Sequence, residues 1–491
     1  MTGRWGGVAL AAVAGIAAAL GQVPWLLWWL VLPSYAGAIW LVAGAPGRWQ
    51  AGLRAWVFGT AHFLLALHWI TEPFQIDAAR DAWMAPFALV FMAGGLALFW
   101  GAAGIVSGLF SRRALAFALA LAGAEATRGV VLTGFPWALP GHVWLGLPPM
   151  QLAAVVGAGG LTLITLGLAL LPVLLRWRGA GLAVALLGAV WGWGHWRLGQ
   201  PLPPAAGPLI RLVQPNADQR LKWQPDHARE FFNRHLDLTA APAERRPDLV
   251  VWPETAVPFL LDDDRGGLRA ILAASGGTPV ALGIQRTDGL RGYNALAVIG
   301  PGAVGDPEIR ALYDKAHLVP FGEYIPLGDA MADWLGIFSF SPREGFGYSA
   351  GPGPRLLDLG SLGTLQPLIC YEAVFPYFQR AVGRPGWMLQ VTNDAWFGDD
   401  AGPFQHLALA RLRAVENGVP LVRVANTGVS AMIDARGGVL AEIGLNRMGH
   451  LDVPLPGALP PTPYARLGGW PAIVAWLLGC LMLFRYRPVK H

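Results

Sequence analysis

The sequence predicts a polytopic α-helical membrane domain joined to a layered α/β domain, and three observations carry that expectation. Of the 491 residues, 54% are hydrophobic and 14% charged, where a soluble domain runs at about 45–50% and about 25%. Long apolar runs fill the first part of the chain and recur once near its end. Between residues 208 and 457 the pattern changes to short β-branched runs alternating with helical stretches, and the charge changes with it. That segment holds 22 Lys+Arg against 27 Asp+Glu, and the rest holds 14 against 4. The formal net charge of +5 therefore belongs to basic loops between apolar runs and implies no nucleic-acid partner. An ordinary soluble protein and a disordered chain are both excluded.

The apolar runs lie at residues 5–20, 24–43, 55–70, 84–110, 114–132, 150–175 and 181–196, with the last at 468–484. Spanning a bilayer takes about 20 apolar residues, with a usable range of about 17–25, so about eight crossings are expected. They divide the chain into a membrane domain over residues 1–200 with about seven crossings, a domain over 208–457, and a C-terminal crossing over 468–485. Arg4, then Arg48 and Arg54, then Arg112 and Arg113, then Arg176 and Arg178 occupy the N-terminus and every second loop, and Arg485, Arg487 and Lys490 follow the last run. Positive residues stay cytoplasmic. The N-terminus and the tail are then inside, and residues 208–457 outside.

Pro-rich linkers at 200–208 and 454–463 bracket the outer domain. Within it, strands are expected at 209–213, 249–252, 279–284, 295–299, 364–370, 387–392, 421–425 and 429–433, and helices at 227–241 and 403–417. Mixed strands and helices over about 250 residues suggest one layered domain.

Chemistry concentrates in three segments: residues 249–258 (LVVWPETAVP), 313–326 (YDKAHLVPFGEYIP) and 368–376 (LICYEAVFP). In the first and third, an apolar strand ends on Glu254 and Cys370, and strand ends are where open α/β sheets build sites. The two cysteines, Cys370 and Cys480, exclude a disulfide framework and any multi-Cys metal site. Cys480 lies in the last crossing and reads as apolar filler. A free thiol has a pKa of about 8.5, so Cys370 needs activation. Lys315 would favour the thiolate and stabilise an oxyanion, and Glu254 could take the thiol proton. Taken singly, each has a plainer reading, a core-filling Cys or a solvated charge. His317 offers a competing Cys–His pair, although an extended segment would turn it away from the side of Lys315. His68 and His195 read as packed or solvated. Glu125 and Arg128, three apart within a crossing, read either as a structural ion pair or as a headgroup site.

The three segments resemble the Glu–Lys–Cys signature of the nitrilase superfamily. With seven apolar runs before and one after, nearly the whole chain resembles the apolipoprotein N-acyltransferase family. WPET at 252–255, DKxHLVPFGEYxP at 314–326, CYE at 370–372 and NDAWFG at 393–398 carry the resemblance, with Glu125, Arg128 and GFPW at 134–137 in the membrane part. The resemblance implies a nitrilase-like αββα sandwich on a helical membrane base, in the bacterial inner membrane with the catalytic domain facing the periplasm. It implies that Cys370 accepts an acyl chain from a phospholipid as a thioester, with Glu254 as base and Lys315 as oxyanion stabiliser. The chain would then pass to the N-terminal α-amino group of diacylglyceryl-cysteine in an apolipoprotein. Trp223, Glu323, Tyr371 and Glu372 match further positions important in the family, and Trp396 and Phe397 would line the acyl pocket. No metal or organic cofactor is implied. The apolar stretch 334–346 reads as a lid at the bilayer or as core packing. The competing readings are a membrane-tethered amidase that uses water as acceptor and a transporter with an external binding domain.

Overall fold

A computed structural model describes residues 4–204, 207–302, 305–326 and 347–484. The chain divides into two units. One takes the residues up to Pro201, the short segment Asp400–Ala408 and the residues from Pro461 on; the other takes Leu202–Asp399 and Leu409–Pro460.

The first unit is helical: α1 (Arg4–Ala19), α2 (Val31–Ala43), α3 (Arg48–Ala66), α4 (Ala85–Ser107), α5 (Arg113–Arg128), α6 (Ala153–Leu198) and a last helix, Trp470–Phe484. Two helical stretches, Ala78–Ser107 and Pro148–Leu198, are long and apolar enough to cross a membrane; Trp5–Ala19, Trp28–Ala43 and Trp470–Phe484 are shorter apolar helices. The helix α6 is not one rod. Arg176 breaks it at φ 55° and ψ −134°. Beyond the break, a Cβ on Gly194 would lie 2.2 Å from the Pro148 carbonyl oxygen. The chain therefore doubles back at Arg176, between the expected runs 150–175 and 181–196. Arg54 corrects the loop reading of its segment. It lies within α3, is buried, and donates to the Leu41 carbonyl at 2.6 Å. A guanidinium near the end of α2 meets carbonyls that lack helical partners.

Glu125 and Arg128 form a buried bidentate pair, at 3.0 and 2.6 Å. The Trp100 indole donates to Glu125 at 2.6 Å, and Arg128 also donates to the carbonyls of Phe135 and Trp137. The guanidinium thus pins the Gly134–Trp137 loop to α5, which favours the structural reading over the headgroup one. Gln405 makes a second knot. Its Oε1 accepts from the Trp69 and Trp137 indoles at 3.1 and 2.6 Å, and its amide donates to the carbonyls of Val23 and Ala66.

The second unit holds two six-stranded sheets. Its strands are β1 (Leu209–Gln214), β2 (Leu249–Val251), β3 (Val280–Asp288), β4 (Arg291–Pro301), β5 (Pro307–Asp314), β6 (Leu357–Asp358), β7 (Thr364–Ile369), β8 (Trp387–Thr392), β9 (Leu421–Ala425), β10 (Ser430–Ile433), β11 (Val439–Ile443) and β12 (Gly449–Pro454). The orders are β12-β1-β2-β3-β4-β5 and β11-β10-β9-β8-β7-β6. The pairs β1/β2, β2/β3, β7/β8 and β8/β9 are parallel. Strand alternation builds two cores. Ile210, Leu212, Leu249 and Val251 join Leu365, Ile369, Leu389 and Val391 between the sheets. Val213, Val250 and Leu282 face instead Phe232 and Leu236 of α7 (Pro225–Ala240) and Leu268 and Ile271 of α8 (Arg265–Ala274). Each buried Leu, Ile or Val is worth roughly 1.5–3 kcal/mol relative to exposure.

Strands β6, β11 and β12, unexpected from sequence, and β5, expected only as a short strand-like stretch at 311–313, all lie at sheet edges. Edge strands bury less; β11 alternates half-buried and exposed along its length, so the apolar signal is weak. The helix α8 begins on Arg-Gly-Gly and was equally hidden, although Asp264 caps it by accepting from the Gly267 N–H at 3.0 Å.

Candidate active site

Parallel strands aim their carboxyl ends at one region. Cys370 directly follows β7, Asn393 follows β8, and Glu254 lies three residues beyond β2; Lys315 follows the antiparallel β5. All belong to the second unit.

Glu254 sits in a tight turn laid against β3. The Pro253 carbonyl accepts from the Gly283 N–H at 3.1 Å, and the Gly283 carbonyl accepts from Ala256 at 2.8 Å. A Cβ at Gly283 would lie 2.5 Å from the Glu254 Cα, so the close approach requires glycine. The next residue, Thr255, has φ 45°. The buried Lys222 ammonium donates to Thr255 Oγ1 at 3.2 Å and faces the Trp223 ring at 5.1 Å.

A closed cluster of charge surrounds the Glu254 carboxylate. The Lys315 ammonium donates to Glu323 at 2.9 Å and approaches Glu254 Oε1 at 3.5 Å. The Asn294 amide donates to the same two carboxylates, at 2.7 Å to Glu254 and 3.1 Å to Glu323. The Asn393 N–H donates to Glu254 Oε2 at 2.9 Å. All of these side chains are buried. Burial alone would pull the Lys315 ammonium down, but Glu323 and then Glu254 hold it well above its ordinary value.

Cys370 is buried, with φ 51° at the end of β7. Burial first, and Glu254 second, push its thiol well up, against the opposing pull of Lys315 and a hydrogen bond with Thr392. Lys315 thus pulls toward the thiolate, as expected, but burial and Glu254 outweigh it. The ammonium already serves two carboxylates, and the resting group is the thiol.

Glu372 lies two residues on, fully buried. Its Oε1 accepts from Tyr313 Oη at 2.8 Å and from the N–H groups of Ala316 and His317 at 2.7 and 3.1 Å; its Oε2 accepts from Ile369 N–H at 2.7 Å. One carboxyl group thus ties the residue before Cys370 to the residues after Lys315. Burial raises it to about 7, against the Ile369 hydrogen bond and the Lys315 charge.

Tyr371 packs edge-on to Phe375, with centroids 4.9 Å apart. The His317 ring lies 4.0 Å from Phe375 and its Nδ1 bonds Tyr377 Oη at 2.7 Å; burial and the Lys315 charge lower it to about 4. That ring is engaged by aromatic neighbours, which weakens the Cys–His alternative. Trp223 lines a cleft of about 410 Å³ with Phe232, Pro258 and Phe259. Phe397 packs against the inter-sheet core that includes Cys370, and Trp396, half-buried, shares its turn. The expected cover at 334–346 lies outside the described residues.

Sequence reading missed Asn294, Asn393 and Lys222. Asn294 was visible as a polar residue inside an apolar strand, and Asn393 opens the NDAWFG motif. Nothing marked Lys222 beyond its place before Trp223.

Residues 209–458 match the carbon-nitrogen hydrolase family, and residues 14–171 match the apolipoprotein N-acyltransferase N-terminal domain. An apolipoprotein N-acyltransferase of Caulobacter vibrioides is 39% identical, over 98% of this chain and 95% of that protein. Those of Sinorhizobium medicae and Rhodopseudomonas palustris are 38% and 36% identical, over 91% and 99% of this chain and 90% and 96% of theirs. The chain belongs to the apolipoprotein N-acyltransferase family, with a carbon-nitrogen hydrolase domain over residues 209–458.

Proposed function

We propose that this protein transfers an acyl chain from a phospholipid, through a thioester on Cys370, to the N-terminal α-amino group of diacylglyceryl-cysteine in an apolipoprotein. The observation that carries the reading is the single buried cluster of Glu254 and Lys315, with the Cys370 thiol under the charge of both. The relatives' names supply the acceptor class.

In the first half-reaction the Cys370 sulfur attacks the ester carbonyl carbon while its proton moves to Glu254. The proton transfer accompanies attack because the resting group is a thiol. Lys315 stabilises the developing oxyanion. The ester C–O bond then breaks, and the lysophospholipid oxygen leaves with the proton from Glu254. In the second half-reaction the amine attacks the thioester carbonyl, Glu254 takes an amine proton, and the C–S bond breaks to regenerate the thiol. Glu323 and Asn294 hold the carboxylate and ammonium in place, and Glu372 holds the nucleophile turn.

The helical unit acts as the membrane base in this reading, with eight crossings in the inner membrane and the sandwich unit in the periplasm. The two long apolar stretches and three shorter ones support it, as does the basic-loop pattern. Reporter fusions after Arg113 and near Gln285 should give opposite signals; the same signal from both would overturn the topology.

The test of function uses detergent-solubilised full-length protein given phospholipid alone. Wild type should accumulate a hydroxylamine-labile acyl group, then pass it to a lipopeptide amine. Cys370→Ala should retain no label while staying folded. Label on that variant would remove Cys370 from the mechanism, and release of free fatty acid in place of acylated peptide would favour the amidase reading.

A further inference from the structure

The conformation of Thr255 is the unexplained feature of the Glu254 turn. Its φ of 45° is an outlier for a β-branched residue, and such strain persists only where the surroundings enforce it. Two attachments are backbone hydrogen bonds, the pair made by Gly283 to Pro253 and Ala256. They fix the turn on either side of Glu254–Thr255 but leave the Thr255 side chain free. The third attachment is Lys222. Lys222 is only 5% exposed, and a buried ammonium is costly to desolvate. Yet its hydrogen bond goes to the Thr255 hydroxyl, not to a carboxylate.

We infer that Lys222 is a positioning residue: its hydrogen bond to Thr255 holds the strained turn that sets the direction of the Glu254 carboxylate. The inference rests on Glu254 serving as the base. Two other roles would leave different marks. A charge acting on Glu254 through space would not need the Thr255 hydroxyl. A cation recognising the donor's phosphate would matter only for donors that carry one.

The experiment measures single-turnover formation of acyl-Cys370 in the full-length enzyme, with a phospholipid and with a small p-nitrophenyl acyl ester. Lys222→Met and Thr255→Val should each slow acylation about tenfold with both donors, as the loss of a strain-holding contact would, with KM unchanged. Thr255→Val keeps the ammonium and the β-branch and removes only the acceptor. Thr255→Gly relieves the strain, so adding Lys222→Met to it should cost less than about twofold. Wild-type rates in Thr255→Val, an undiminished cost of Lys222→Met in the Thr255→Gly background, or a loss confined to the phospholipid would each overturn the inference. If Lys222→Met does not yield folded protein, Thr255→Val decides alone. Glu254→Gln is run in parallel: full acylation there would defeat the base assignment itself, whatever the Lys222 variants do.

Discussion

Two buried charge clusters in this chain use the same residue types to opposite ends. In the helical unit, one carboxylate meets one guanidinium, and the remaining donors of Arg128 go to loop carbonyls. In the sandwich unit, two carboxylates share one ammonium, and a neutral amide supplies the missing donor. The first cluster is balanced and closed. The second joins two carboxylates through one ammonium and lies beside a thiol. Burial of charge marks both clusters; the count of charges separates them.

The largest expected effect breaks the second cluster. Lys315→Met should lower acylation of Cys370 by about 10²–10³-fold, and Glu254→Gln by about 10²-fold or more, with folded protein recovered in both cases. If His317→Ala were as damaging as Glu254→Gln without loss of folding, the triad assignment would be wrong. The mirror experiment breaks the first cluster. Arg128→Met should destabilise the protein by about 3–5 kcal/mol, because it leaves the Glu125 carboxylate buried and alone. Specific activity per folded molecule should be unchanged. A stable Arg128→Met variant with impaired phospholipid use would restore the headgroup reading.

A smaller effect sharpens the account of the thiol. Alkylation of Cys370 by iodoacetamide should be slow at pH 7 and still climbing at pH 10, since burial and Glu254 disfavour the thiolate. A plateau near neutrality would mean a standing thiolate. The smallest effect concerns Glu372. Its carboxyl is raised from the ordinary 4.5 to about 7, so the folded state binds the proton more tightly. The stability this contributes is fully present below about pH 4.5 and is lost as pH rises through about 7, by up to about 3 kcal/mol. The melting-temperature gap between wild type and Glu372→Gln should therefore narrow over that window; a widening gap would reverse the assignment.

Much of this was legible in the sequence because the central strands are apolar on both faces. Runs such as LVV before WPET and LQPLI before Cys370 place the candidate site residues at strand ends without any structure. Edge strands β6, β11 and β12 were not legible, since few of their residues are fully buried and the apolar alternation is weak. The partners of the site were harder still. Asn294 stands out as a polar residue in an apolar strand, but its partners come from distant backbone, and Lys222 has no local pattern that distinguishes it from a polar residue in a loop. Arg54 misled for a related reason: a basic residue near an apolar run suggests a loop, but the arginine stem packs inside and its head finds a helix end.

Gln405 also sets the order in which the chain can finish folding. The Trp69 and Trp137 indoles wait for an acceptor that lies 336 and 268 residues later in the chain. The sandwich waits too, because β1, its first strand, pairs on one side with β12, its last, from Leu209↔Pro454 to Gln214↔Gly449. Closing such long loops adds little to the equilibrium cost, which grows only with the logarithm of length. It adds a delay during synthesis, in which β1 presents a bare edge and the indoles lack their acceptor. Nascent chains stalled before residue 400 should therefore be protease-sensitive in both units, and release past residue 454 should protect both together.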